Sequence, residues 1–395
     1  MTAVEEPTPP TISYNPMLTG TPLSHITEVD GLRDRYPSFR SDLAQGFWVL
    51  TRADSIRTTL QNPATFSNTA ISPIDPDPQY HLVPEMLDPP AHTSWRQLLA
   101  PWFSPAAIAG MEAGVRRRCV ELIEPLVAKG GCDFHRDFAY RYPTSIFLEL
   151  MGLPIEDLPQ FQHWNDEIHH ISFADDPEGA RSLKAQGEVK EYFARLMSQR
   201  RADPRDDLVT AAMGWRIGGQ EIPLDDLLSM YLLMFQAGMD TVSSQLAYMW
   251  WYLAQNDDDR QRLVADPEVL LPAVEEFLRY FAFVAPSRKV LTDTVVSGCP
   301  MKKGDMVFLP LCGATRDPNA FTDSDRFVID REVNNHIAFG AGPHRCLGSH
   351  LARRELRIAL EEWHARIPQY RLTPGQRIDE HGPMFGLDSL RLEWS

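Results

Sequence analysis

The sequence predicts a mainly α-helical chain with small β-sheets, folded as one large unit, and three observations lead there. From Pro101 to Leu278 apolar residues recur at helical spacing between short Pro/Gly breaks, with no repeat of fixed period. Two segments, Gly46–Leu50 and Arg288–Leu311 with Val290, Val295, Val296, Val307 and Phe308, instead carry β-branched alternation between Gly and Pro residues, the pattern of short strands. Hydrophobic residues make up 43% of the 395 and aromatics 10%, enough for a single large core, and no long polar tract marks an interdomain linker.

Taken in order, residues 1–14 are expected to form a disordered tail, because Pro7, Pro9 and Pro10 lie among threonines and glutamates. Neither a basic n-region nor an apolar h-region is present, so this is not a secretory signal. Residues 15–395 are then one domain. Its most apolar stretch, Leu227–Met239, includes Ser229 and Gln236 and is too short to cross a bilayer, so a soluble protein is expected. After Cys346 the spacing Ala352, Leu356, Leu360, Trp363, Ile367 predicts a long helix ending before Pro368. A formal charge of −16 excludes nucleic acid and anionic lipid as general partners, though it leaves room for a local basic patch. The five cysteines are odd in number and lack CxxC spacing, which fits a reducing cytoplasm better than a disulfide framework or a zinc site.

The segment that carries chemistry is Phe339-Gly340-Ala341-Gly342-Pro343-His344-Arg345-Cys346-Leu347-Gly348, a loop that feeds the last long helix. A cysteine at a helix N-terminus faces unpaired N–H groups and the positive end of the macrodipole, which favours thiolate and metal ligation. The glycines let the backbone approach a flat cofactor and aim N–H groups at sulfur. Other readings exist. A lone buried cysteine is most often a small hydrophobe, Gly340 and Gly342 lack the rest of a dinucleotide fingerprint, and His344 with Cys346 would be a nucleophilic pair only if adjacent in space.

Phe-Gly-x-Gly-x-His-x-Cys-x-Gly resembles, at every specified position, the haem-binding signature of the cytochrome P-450 family. The resemblance implies that family's fold, haem b held by the Cys346 thiolate, whose electron donation favours O–O cleavage, and His344 as a haem-propionate partner, with Phe339 and Gly340 beside the haem. Other family motifs follow in order. Glu276-Phe277-Leu278-Arg279 resembles the Glu-x-x-Arg lock, a pairing that on its own is usually surface charge. Arg316-Asp317-Pro318 and Arg331 resemble the segment that completes that network, with Thr315 where the family commonly has Asn. Asp88-Pro89-Pro90-x-His92-x-x-x-Arg96 resembles the element that, with Arg288, grips the propionates through charge-assisted hydrogen bonds. The likeness runs from Asn15 to Trp394 and is nearest to soluble bacterial members of camphor-hydroxylase type.

Ala237-Gly238-Met239-Asp240-Thr241 interrupts the apolar helix. Read alone, Gly238 is close helix packing and Asp240-Thr241 a buried cap. The resemblance implies instead that Ala237 and Gly238 lie over the haem and that Asp240 and Thr241 deliver protons to bound oxygen, Thr241 bonding the carbonyl four residues back. Val242 replaces a second hydroxyl common in the family. The expected enzyme is a monooxygenase that uses O2 and takes electrons from an iron–sulfur ferredoxin and its reductase, since the sequence carries no flavin segment of its own. Arg96, Arg345, Arg353 and Arg354 would form the basic docking cluster unless they are simply a solvated face. A peroxide-driven enzyme and a non-catalytic haem sensor are the alternatives. A monomer is expected, acting on a small, apolar, terpenoid-like substrate held by Leu233, Gln236, Val284 and Ala285, with Tyr80 offering a phenol unless it is a surface-loop residue.

Overall fold

The apolar periodicity resolves, in a computed structural model that describes residues 9–17, 20–171, 175–176, 179–382 and 385–395, into thirteen α-helices among those residues. They are α1 (Ser24–Arg35), α2 (Ala53–Leu60), α3 (Ala91–Leu99), α4 (Pro105–Val127), α5 (Arg141–Leu150), α6 (Leu158–Asn165), α7 (Ala180–Ala202), α8 (Leu208–Ala212), α9 (Leu224–Leu253), α10 (Asp257–Ala265), α11 (Leu270–Tyr280), α12 (Leu311–Thr315) and α13 (Ser349–His364). None of the described helices is long and apolar enough to cross a membrane.

The predicted apolar stretch lies inside α9, a 30-residue helix that two cores share. Its first half, through Leu232, Phe235 and Met239, packs with Phe147 of α5, Phe161 of α6 and Phe193 of α7. Its second half, from Val242 through Trp250, packs with Cys119 of α4, Phe277 of α11 and Trp363 of α13. The change of partners falls at Asp240-Thr241.

The first predicted β segment and the two ends of the second belong to one sheet, while Thr294–Val296 and Cys299–Met301 between those ends form a separate two-stranded sheet, an outcome that strand periodicity alone does not reveal. Six strands run in the order Thr11–Ile12, Ser38–Ser41, Phe47–Leu50, Met306–Phe308, Ser287–Val290, Phe66–Ser67. Phe47–Leu50 lies parallel to Met306–Phe308, with Trp48 opposite Val307, and Val307 in turn faces Arg288. The expectation of a tail over residues 1–14 does not hold for its last part. Residues 1–8 lie outside the described residues, but Thr11–Ile12 pair with the second strand and Tyr14 is 1% exposed, because an apolar edge and a buried phenol outweigh the proline-rich composition.

Glu276 and Arg279 form a fully buried, two-pronged ion pair, both bonds 2.7 Å. Arg331 Nε donates to the same carboxylate at 2.9 Å, as do Asn334 Nδ2 and the Val328 N–H. Arg279 also donates to the carbonyls of Thr315, Ser324 and Arg326. The expectation that Arg316-Asp317 would complete this network is corrected. Arg316 Nε reaches Asp30 of α1 at 2.8 Å, and Asp317 accepts from Arg52 and the Ala53 N–H, capping α2. Removing one member of a buried pair strands the other charge. Glu276→Ala is therefore expected to cost about 3–5 kcal/mol of stability by denaturant unfolding, and a loss under about 1 kcal/mol would show that the network does not hold the fold together.

Candidate active site

The loop ahead of α13 is set by its backbone. Gly340 N–H bonds Ile337 O at 2.8 Å, Cys346 N–H bonds Phe339 O at 2.8 Å, and Arg345 N–H bonds Gly342 O at 3.1 Å. Gly340 and Gly342 both have φ of +72°. At Gly342 an added Cβ would collide with the Leu60 carbonyl oxygen and sit 2.9 Å from the Gln61 Cα, so only glycine lets the loop lie against α2. Phe339 is held by the Arg353 guanidinium 4.6 Å above its ring, and Arg353 is itself fixed by two bonds to Glu275, of 2.5 and 2.8 Å.

Cys346 is enclosed by protein yet keeps open side-chain surface, so its sulfur faces an internal space. The sequence suggested a depressed thiol. Burial instead pushes the Cys346 thiol up, although the Gly348 N–H donated to its sulfur and the nearby Arg96 and Arg345 pull the other way. A cation bound at sulfur would supply the charge that burial withholds, so ligation and deprotonation are coupled here.

Around this loop four cationic or imidazole groups gather with no carboxylate within hydrogen-bond distance among the described residues. The His92 and His344 rings lie tilted at 32° with centroids 3.9 Å apart. Both nitrogens of His344, and Nδ1 of His92, are buried without a hydrogen-bond partner, the nearest carboxylate to His344 being Glu85 at 3.9 Å. Arg288 is 3% exposed and donates only to its own neighbour's carbonyl, Ser287 O at 2.7 Å. Arg96 is half-buried and donates to Arg345 O at 2.8 Å. Burial pushes the Arg96 and Arg288 guanidiniums and the His92 imidazole down, His92 to about 4 with His344 and Arg96 adding to the effect. Buried donors without acceptors are costly, and this set is satisfied by an occupant with more than one carboxylate.

On α9, Thr241 Oγ1 donates to Ala237 O at 3.1 Å, the expected back-bond. Ala237 is exposed and Leu233, Gln236 and Thr241 are half-exposed, although the helix lies between two cores, so this face borders an internal space. At Gly238 an added Cβ would stand 3.2 Å from the Phe147 ring, so the missing side chain allows close packing on α5. Tyr80 packs in the same core as Leu233 and lines a cleft of about 530 Å³ with Met86, Leu87 and Asp88. Val284 and Ala285 are half-buried beside the propionate-type arginine.

Asp240 is 2% exposed and points away from Thr241's back-bond. Both its oxygens lie 3.0 Å from His170 Nε2, and Asn165 Nδ2 donates to it at 3.2 Å. Burial alone would raise the Asp240 carboxyl, but the hydrogen bond and charge of His170, with His169 and His381, hold it well below the usual carboxylate range. Burial would likewise lower His170, but its bonds to Asp166 and Asp240 raise it to about 10. Neither His170 nor Asn165 belongs to a local motif, and both meet Asp240 only through the fold. The expected basic cluster is also mostly neutralised, since Arg353 is paired to Glu275 and Arg354 to Glu112, while Arg345 alone of the four is exposed without an ion pair among the described residues.

The family model "Cytochrome P450" matches residues 49–363, most of the chain. The chain belongs to the cytochrome P450 family. A probable cytochrome P450 127A1 of Sinorhizobium fredii is 33% identical over 354 residues, 89% of this chain and 84% of that protein. A vitamin D(3) 25-hydroxylase of Pseudonocardia autotrophica is 30% identical over 84% of this chain and 83% of its own length. The crystal structure of CYP101J2 superposes with a TM-score of 0.88 at 28% identity, covering 98% of this chain and 97% of that one. The P450 is a monooxygenase with the P450 fold and binds haem b. The residues present fit that group. Two propionates would answer the unpartnered nitrogens of His92 and His344 and pair with the Arg96 and Arg288 guanidiniums, which have only backbone carbonyls as partners among the described residues, and Cys346 would offer its sulfur to the iron.

If Arg288 is a buried cation that waits for a propionate, Arg288→Leu should have opposite effects on the two forms of the P450. Haem retention, read as the rate of haem transfer to apomyoglobin, should weaken by about 1.5–3 kcal/mol, the worth of a hydrogen bond to a charged group. The haem-free protein should be stabilised in a thermal melt, because an unpaired buried charge is removed. Equal destabilisation of both forms would count against the assignment.

Proposed function

We propose that this P450 inserts one atom of O2 into a C–H bond of a compact, largely apolar substrate of terpenoid-like size, with electrons from an iron–sulfur ferredoxin and its reductase in the cytoplasm. The observation that carries the reading is an acid–alcohol pair in which Thr241 lies on the α9 face that opens at Ala237 and the adjoining Asp240 is buried behind it. Bound haem supplies the oxygen chemistry. The chain's own residues supply position and protons. Thr241, tied to Ala237 O, keeps its hydroxyl oxygen at the open face. His170 keeps its proton while paired with the Asp240 anion, and Asp240 relays protons toward Thr241 when that pair opens and its side chain turns. His170 is in turn bonded to Asp166, whose side chain is 52% exposed and reaches solvent.

The walls offered by Leu233, Val284 and Ala285 are hydrocarbon, and the cleft at Tyr80 falls within the ordinary range of small-molecule sites. Burial and the nearby Asp75 push the Tyr80 phenol up, so it stays a proton donor suited to a ketone or hydroxyl on the substrate. For the redox partner, the exposed Arg345 on the Cys346 side supports docking of an acidic protein, although with Arg353 and Arg354 neutralised the salt dependence of reduction should be shallow.

The reading is tested with Thr241→Ala. Under ¹⁸O2, the wild type should place one ¹⁸O in product, whereas the variant should keep consuming reductant but release hydrogen peroxide in place of product. Unchanged coupling would overturn the role of Thr241. For substrate orientation, Tyr80→Phe should weaken binding by about 0.5–1.5 kcal/mol, a neutral hydrogen bond, and broaden the set of carbons oxidised. An unchanged affinity and product ratio would place Tyr80 outside the binding site.

A further inference from the structure

Behind Asp240, away from the Thr241 face, two imidazoles and a carboxylate converge from three separate segments. His170 lies on a π-helical turn, Asp166–His170; Asp240 is mid-α9; His381 lies in the short strand Glu380–His381. One donor atom from each lies within 4.8 Å of the others. π-helical turns inside helical runs recur at functional sites, and the other one among the described residues, His135–Ala139, also brings a histidine to this place, His135, which reaches Ser243 at 3.4 Å.

The second layer of this cluster matters more than the count of donors. His381 Nδ1 lies 2.7 Å from Asp388 Oδ1, which fixes its tautomer and leaves Nε2 buried with no partner. His170 Nδ1 lies 3.1 Å from Asp166 Oδ1, and its Nε2 faces Asp240. Each imidazole is thus backed by a carboxylate on one nitrogen and turns the other inward, the arrangement that orients histidines on a metal. The His170 and His381 rings stand 4.9 Å apart at 53°, open rather than stacked. His169 Nε2, also buried and unpartnered, lies in the same neighbourhood.

We propose that His170, Asp240 and His381 form a binding site for a divalent transition-metal ion, Zn2+ being the best fit. Two neutral nitrogens and one carboxylate suit a borderline ion and not Ca2+ or Mg2+, which prefer all-oxygen sets. Bonds of about 2.0–2.2 Å at tetrahedral angles put donor atoms roughly 3.3 Å apart. The His170–Asp240 contact, at 3.0 Å, is already near that spacing, so only His381 has to close in. The ion takes the place of the proton that His170 shares with Asp240, releasing it to solvent. Water completes the coordination. An occupied site holds the Asp240 carboxylate on the metal, so zinc also slows oxygen insertion; this consequence rests on the proton-delivery role proposed for Asp240, whereas the binding itself does not.

The test is equilibrium dialysis of the tag-free, haem-loaded P450 against micromolar Zn2+, with zinc counted per haem by elemental analysis. The wild type should hold one saturable zinc. His381→Ala should weaken that zinc at least about tenfold, and Asp388→Asn, which keeps all three ligands, by about 10–100-fold. An unchanged haem spectrum in Asp388→Asn shows that the fold persists. No saturable zinc, or equal affinity in the wild type and both variants, overturns the site. In the turnover arm, zinc should inhibit the wild type and spare His381→Ala. Saturable zinc weakened by both variants but without effect on turnover confirms the site and overturns the proton role of Asp240.

Discussion

The ion pair of Glu276 with Arg279 is fully removed from water, and much of the structure follows from what that requires. A buried charge is tolerable only when its remaining valences are met. Glu276 therefore recruits Arg331, Asn334 and the Val328 N–H, and Arg279 recruits three carbonyls between Thr315 and Arg326. Together these bonds fasten the irregular stretch after α12 to α11. Glu275, next along the same helix, binds Arg353 and His336, and so steadies Phe339 at the start of the Cys346 loop. The Cys346 loop is thus placed by carboxylates of α11.

The same constraint is met in two other ways in the molecule. Around Asp240 the charge is answered inside the protein, by His170 and Asn165. Around Arg288, His92 and His344 it is answered by no protein carboxylate within hydrogen-bond reach among the described residues. The first arrangement is self-contained; the second is complementary to a ligand with two acids. Distinguishing satisfied from unsatisfied buried charge thus separates a network complete within the protein from groups suited to a ligand's acids.

What could be read in the sequence was local. The loop from Phe339 to Gly348, the Glu276–Arg279 spacing and the Thr241 back-bond each depend on residues within a few positions of one another, so spacing alone exposes them. Non-local matters were hidden. His170 and Asp240 are 70 residues apart, and nothing in either neighbourhood advertises the other. Arg353 and Arg354 looked free because Glu275 and Glu112 belong to other helices. Gly238 sat inside a recognisable motif, yet its missing side chain is explained by Phe147 of α5, a partner only folding supplies. The sheet showed the same limit: two strand patterns were legible, their pairing was not.

The handover between cores at Asp240-Thr241 leaves the two halves of α9 with different neighbours. Substitutions that share no partners tend to act independently. Changes around Phe161, Phe193 and Phe235 therefore act largely apart from the packing of Trp250 and Trp363 against α13. One long helix thus gives the protein two separately tunable halves, so that the side bordering the cleft can be repacked without disturbing the aromatic packing behind α13.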